Sequence, residues 1–183
     1  MSVLPIARMG AEVLKQRAAE VTDFKDPGLK GFVNNMIDTM VEARGVGLAA
    51  PQVFRGQRIV IFFVPAGRNG GVEIPLTVMI NPVITPLDDA KNDAFEACLS
   101  VPGLTGTVPR FTNIKYRFRD MMGAEIEREA NGFHARVVQH ECDHLDGVLY
   151  PQRMADMTTL AFADVLQAEA EAKGESVELD EEG

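Results

Sequence analysis

His140-Glu141-Cys142-Asp143-His144 is the segment of this 183-residue chain whose residue types and spacing most directly offer chemistry. On a helix, positions i and i+4 share one face with Cβ atoms about 5–6 Å apart, so both imidazoles can reach one cation. Glu141, about 100° further round, can approach an open coordination position without being a ligand, and there it would serve as general base toward a water. The bland reading is a chance pairing of two histidines on one helix face. Only three histidines in the whole chain, and a Glu directly after the first of the pair, weigh against chance. His134, six residues before His140 and about 240° away, does not easily join the pair and reads as a partly exposed or packing histidine.

Two imidazoles do not fill a site. No histidine follows His144, and Asp146 and Asp156 do not match the downstream third ligand of zinc peptidases with this pattern. Cys98, in Phe95-Glu96-Ala97-Cys98-Leu99-Ser100, supplies a thiolate that would bind a first-row divalent ion strongly; taken alone, it reads equally as a small buried hydrophobe. A third segment, Gly45-Val46-Gly47-Leu48-Ala49-Ala50-Pro51-Gln52, has small residues that permit close backbone approach and an amide, Gln52, able to hold a carbonyl oxygen as it becomes negative. A tight turn after a helix accounts for that segment as well.

The elements that must position these residues can be read from periodicity. Asp26-Pro27 caps a helix with apolar positions Phe32, Val33, Met36, Ile37, Met40 and Val41, ending at Arg44-Gly45. Arg58 to Val64 is a buried strand, and Leu76 to Ile80 a second that Asn81-Pro82 terminates. Ile114 to Phe118 and Ala124 to Arg128 bracket the turn Asp120 to Gly123 as a hairpin. Helical spacing returns from Phe133 to a C-cap at Gly147, and again as an amphipathic stretch from Met154 to Ala172. The expected fold is α+β: mixed or antiparallel strands packed around the helix that carries the two histidines, with a helix near the N-terminus.

Length favours one domain over residues 1–173, followed by an acidic, disordered tail at 174–183. With 46% hydrophobic and 25% charged residues, wholesale disorder is excluded. No apolar run approaches a membrane span and no secretory signal is visible, while two cysteines cannot build a disulfide framework; a cytoplasmic setting is expected. The net charge of −9 is concentrated at the end, where residues 168–183 hold seven acids against Lys173. Direct nucleic-acid docking through that end is therefore disfavoured.

Taken together, Gly45 to Gln52, Glu96 to Ser100 and Gln139 to Gly147 resemble, in order, the three motifs of the peptide deformylase family, GxGLAAxQ, EGCLS and QHExDHLxG. The resemblance spans most of residues 1–155. It implies one divalent metal ion held by Cys98, His140 and His144, natively Fe(II), with zinc, nickel or cobalt in purified material. It also implies Glu141 as the proton carrier, and Gln52 with the backbone N–H of Leu99 as the oxyanion hole. The implied reaction removes the formyl group from the N-terminal formyl-methionine of nascent polypeptides. By analogy with the family, Val46, Phe133 and Val137 line a methionine pocket, the backbone of Val46 and Gly47 pairs with the peptide, and Glu96 and Arg110 form a supporting ion pair. Ala97 stands where the family has Gly, and its methyl group would disfavour positive φ and crowd the substrate backbone. Altered amide range, or a non-catalytic metal- or peptide-binding module, are the competing expectations. Some family members meet the ribosome through a basic C-terminal extension, a route the acidic residues Glu169 to Glu182 do not offer.

Overall fold

The computed structural model describes residues 2–174. Helix α1 spans Pro27–Glu42, with the Asp26 carboxylate accepting from the backbone N–H of Gly28 and Pro27 at the first helical position. It ends with Arg44 at φ 59°, so the left-handed stop falls one residue before the glycine expected to provide it. The strands follow: β1 (Gly47–Ala49), β2 (Ile59–Val64), β3 (Ile74–Pro86), β4 (Lys91–Glu96), β5 (Leu104–Phe111), β6 (Asn113–Arg119) and β7 (Glu125–Asn131). Helix α2 (Gly132–Leu145), strand β8 (Ala161–Phe162) and helix α3 (Ala163–Lys173) complete the described chain.

All named pairings are antiparallel, in a five-stranded sheet of order β1-β2-β3-β6-β7 and a three-stranded sheet of order β4-β5-β8. The expected α+β class is the observed one. Strand β2 shows why its sequence is continuously apolar. Val60, Phe62 and Val64 point into a core shared with α2, through Ala135, Val138 and Leu145. Ile59 and Ile61 point the other way, into a core shared with Met36 and Met40 of α1. A strand covered on both faces has no solvent face on which polar residues could alternate. A third cluster, with Cys98, Val101, Val108, Leu149 and Tyr150, fills the space beside the smaller sheet.

Two expectations are corrected, and three strands lie where none is expected. Asn81-Pro82 does not end the second strand: β3 runs on to Pro86, with a register shift between Ile80 and Val83 that accommodates the missing proline N–H. Asn81 takes φ 52° and its amide bonds both the N–H and the C=O of Val21, at 2.9 Å each, so the bulge doubles as an anchor for the N-terminal segment. The stretch from Met154 to Ala172 is not one amphipathic helix. It comprises a 3-10 turn at Met157–Thr159, the short strand β8, which pairs with Leu104 and Thr105 of β5, and α3, with Phe162 and Val165 exposed. Finally, β1, β4 and β5 were not foreseen, being short, polar or interrupted by glycine and proline. The expected acidic tail lies outside the described residues from 175 onward.

His134 is buried in the first turn of α2, its Nε2 3.1 Å from the Tyr116 hydroxyl and its ring edge-on to Tyr116. The packing alternative holds. Burial, then the nearby Arg128 cation, hold its pKa down to about 4. An unfolded histidine titrates near 6.5. As pH falls from 6.5 towards 4, the unfolded chain takes up a proton that the folded one refuses, so stability drops across that window and levels off below it. Denaturation midpoints of wild type and His134→Gln between pH 7 and 4 should therefore draw together as pH falls; parallel curves would assign the slope to other groups.

Candidate metal centre and its surroundings

Helix α2 carries His140 and His144 on one face, with ring centroids 5.0 Å apart. Strand β4 ends at Glu96, and two residues on, Cys98 turns back toward that face. Its Sγ lies 3.4 Å from Nε2 of His144. One ligand atom from each of Cys98, His140 and His144 lies within 4.8 Å of the others, and all three residues are buried. A tetrahedral first-row ion with ordinary bond lengths separates its sulfur and nitrogen ligands by about 3.5 Å. One soft thiolate with two imidazoles is also a donor set suited to such an ion. The three residues fit a divalent metal.

The orientation of the imidazoles is set from behind. Nδ1 of His140 lies 2.8 Å from Glu96 Oε2 and donates to it, which leaves Nε2 to face the Cys98 sulfur and His144. Glu96 is fully buried and has both oxygens committed. Oε1 accepts from Arg110 Nε at 2.8 Å and Arg136 Nη1 at 2.7 Å, while Oε2 accepts from Arg110 Nη2 at 2.9 Å as well as from His140. The expected Glu96–Arg110 pair is present, and it belongs to a larger network. Arg110 Nη1 also reaches Asp143 Oδ2, and Asp143 is gripped on both oxygens by the half-exposed Arg153. Burial alone would push the Glu96 carboxyl upward, but the bonds from Arg110 and His140 hold it well below the usual carboxylate range. Burial likewise opposes charge on His140, yet the Cys98 and Glu96 contacts keep its pKa well above the ordinary value. His144, buried and beside His140, is driven well below it.

Arg136 was missed in the sequence, although a signal was there. It lies four residues before His140, so both share one helix face and both can reach Glu96. It also donates to the carbonyl oxygens of Val108 and Asn92, at 2.8 Å each, stitching α2 to β5 and β4. Tyr150, whose ring stacks on His140 at 6.4 Å between centroids, sits in a loop that offers no periodicity by which to find it.

Gln52 is buried in a 3-10 turn directly after β1. Its Oε1 accepts from the Ala49 N–H at 2.8 Å, which fixes Nε2 toward Cys98 Sγ at 3.6 Å and Ser100 Oγ at 3.2 Å. Gly47, in β1, abuts the Glu141 side chain so closely that a Cβ there would overlap the carboxylate. Strand β1 is the edge of the larger sheet. Beside the donors lies a cavity of about 10 Å³, room for about one water, lined by Glu96, Ala97, Phe133, Val137, His140 and Glu141. Val46 packs in the same core as Phe133 and Val137. Leu99 is half-buried beside Gly45. Ala97 is not among the residues with positive φ, so its backbone is unstrained and only its methyl group affects the cavity. A larger groove of about 690 Å³ lies against Arg58, Cys142 and Asp143 and includes none of the three donors. No helix among the described residues is long and apolar enough to cross a membrane.

The profile of the family described as "Polypeptide deformylase" matches residues 3–159. The chain is 48% identical over 172 residues to "Peptide deformylase 2" of Ralstonia nicotianae, covering 93% of this chain and 97% of that protein. It is 46% identical over 166 residues to "Peptide deformylase 1" of Nitrosomonas europaea, covering 90% and 94%. Among solved structures, the Met-Ala-Ser-bound class I type b peptide deformylase of Acinetobacter baumannii aligns with a TM-score of 0.78 at 38% identity, covering 84% of this chain and 100% of that one. The peptide deformylase of Thermotoga maritima aligns with a TM-score of 0.77 at 38% identity, covering 85% and 100%.

The burial of the charge network yields an expected ranking of variants. Arg136→Ala should lower unfolding free energy by about 3 kcal/mol, because it strips a buried carboxylate and two strand carbonyls of a donor. Arg153→Ala, at a half-exposed pair, should cost about 1 kcal/mol or less. Urea denaturation of both checks the order.

Proposed function

The chain belongs to the polypeptide deformylase family, and from that premise we propose that it removes the N-formyl group from the formyl-methionine that begins a nascent polypeptide, releasing formate. The observation that carries this reading is the meeting of Cys98, His140 and His144, from two distant segments, with Glu141 lining the same small cavity as His140. In this proposal those three residues hold one divalent ion, Fe(II) by resemblance, with zinc, nickel or cobalt able to take its place. The ion supplies positive charge that polarises a carbonyl oxygen and acidifies a water.

The protein's own groups do the rest. The backbone of Val46 and of Gly47, where edge strand β1 begins, would pair with an extended peptide, as β-strand addition. Phe133, Val137 and the methyl group of Ala97 form the apolar wall against which the methionine side chain packs, and the one-water cavity between them has to widen to admit it. Glu141 takes a proton from the attacking water and passes it to the amine nitrogen as the C–N bond of the formamide breaks. Water and the formyl amide thereby become formate and a free N-terminus. The amide of Gln52 and the backbone N–H of Leu99 stabilise the negative charge that builds on the formyl oxygen. Glu96, Arg110 and Arg136 act through His140, holding its ring. Residues 1–173 work as one unit in this reading, in the cytoplasm, and any meeting with the ribosome uses a surface other than the acidic tail.

A second reading, a redirected amide range, is favoured by one observation: the cavity beside the donors is small and Ala97 lines it. A panel of formylated, acetylated and unblocked methionyl peptides separates the two, with formate release from formyl-Met-Ala under anaerobic Fe(II) loading expected to dominate. Glu141→Ala should reduce that turnover by about 10²–10⁴-fold while the metal stays bound; hydrolysis at the wild-type rate would contradict the proton-transfer role. Ala97→Gly should raise kcat/KM on formyl-Met peptides by relieving the cavity, and a fall would show that the loop depends on the stiffer residue.

A further inference from the structure

Helix α2 lines the groove of about 690 Å³ through Gln139, Cys142 and Asp143, and neither His140 nor His144 reaches it. Its volume falls in the range of pockets that hold small organic molecules, about 300–1,000 Å³. Val83 and Ile84 of β3, with Phe111 at the end of β5, supply apolar lining. The charged lining is mostly cationic. Arg17, Arg58, Lys91, Arg110 and Arg153 stand against the two carboxylates of Asp143 and Asp146, in a chain whose net charge is −9. Asp143 is already taken by Arg110 and Arg153, and Asp146 by Arg17 and Arg58. The Lys91 ammonium rests over the Phe111 ring, 4.5 Å from its centroid. The groove therefore keeps positive charge that its own acids do not match.

Arg58 shows where that charge is available. It is only 6% exposed and bonds through one nitrogen: Nη1 donates to the Leu145 carbonyl oxygen at 3.1 Å and to Asp146 Oδ1 at 2.7 Å. Its Nε and Nη2 have no hydrogen-bond partner among the described residues, and neither is sealed from solvent, so this edge of the guanidinium opens onto the groove it lines. Withdrawn donors left unfilled are costly, and two parallel N–H groups on one edge match the oxygens of a carboxylate or a phosphate. Arg17, which shares Asp146 Oδ1 with Arg58, adds a second cation beside that edge.

We propose that this groove is a second binding site, for a small organic anion. Its carboxylate or phosphate head sits on the Nε–Nη2 edge of Arg58, flanked by Arg17, and its apolar body lies against Val83, Ile84 and Phe111. The site is separate from the centre where deformylation is proposed, since none of Cys98, His140, His144 or Glu141 lines it.

The test titrates naphthoate and naphthyl phosphate, with neutral naphthol as control, into the zinc-loaded full chain with isotope-labelled valine and isoleucine methyl groups. The Val83 and Ile84 resonances should shift saturably with at least one of the anions, which binds about tenfold tighter than naphthol, as a charge-assisted paired contact implies. Val137, in the cavity beside the metal donors, should not shift. The tighter of the two anions identifies the head group. Arg58→Gln should erase the advantage of the anion over naphthol, and Arg58→Lys should keep part of it. Because Arg58 also holds the last carbonyl of α2, Val83→Glu at an exposed position gives a second check, and there anion affinity should fall about tenfold. No saturable shift, equal affinity for anion and naphthol, shifts centred on Val137, or an anion affinity that neither Arg58→Gln nor Val83→Glu changes would each overturn the proposal.

Discussion

A single buried carboxylate organises the centre of this molecule. Glu96 accepts four hydrogen bonds, two from Arg110, one from Arg136 and one from His140. A carboxylate withdrawn from water is very costly unless it is met by opposite charge and its lone pairs are filled, and here both conditions hold. The same residue ends β4, so its position fixes where Cys98 emerges two residues later. The charge balance and the placement of the Cys98 sulfur are one problem with one solution. The arginines extend that solution outward: Arg136 ties α2 to the smaller sheet, and Arg110 passes the network to Asp143 and Arg153.

The sequence exposed this centre unevenly, for physical reasons. His140, Glu141 and His144 are legible because helical geometry makes i and i+4 neighbours without help from the rest of the fold. Cys98 is a candidate by residue type, as a strong ligand to complete two imidazoles, but not by spacing, since its proximity to His144 depends on how β4 and β5 pack against α2; the motif resemblance is what ties it to them. Glu96 and Arg110 likewise came from resemblance. Arg136 was legible in principle, sharing a face with His140, but a lone arginine on a helix is ordinarily a solvated one, and burial is decided by partners elsewhere in the chain.

The errors in the fold share a cause. Asparagine and proline at Asn81-Pro82 predict a strand end, yet tertiary bonds to Val21 support the bulge that lets β3 continue. Strands β4 and β5 contain Asn92, Asp93, Gly106 and Pro109, residues with weak strand preference. Their pairing comes from the cluster around Cys98, Val108 and Tyr150 that the hairpin encloses. Leu160, Phe162, Val165 and Leu166 stand at helical spacing in the last segment, but its first part instead adds β8 to β5. In each case local preference gave way to contacts made far along the chain, whereas α1, β2, the β6–β7 hairpin and α2, whose patterns are strong locally, stand close to their expected bounds.

The absence of a side chain at Gly47 means that the carboxylate of Glu141 is caged on one flank by bare main chain. A caged acid has few alternative rotamers to visit, so little entropy is lost when it must hold a single pose, and little reorganisation separates one proton position from the next. The missing methyl group at Gly47 is in that sense a kinetic device for the proposed reaction: the strand gives up a packing contact, and the carboxylate that would carry the proton is already in place for the next transfer.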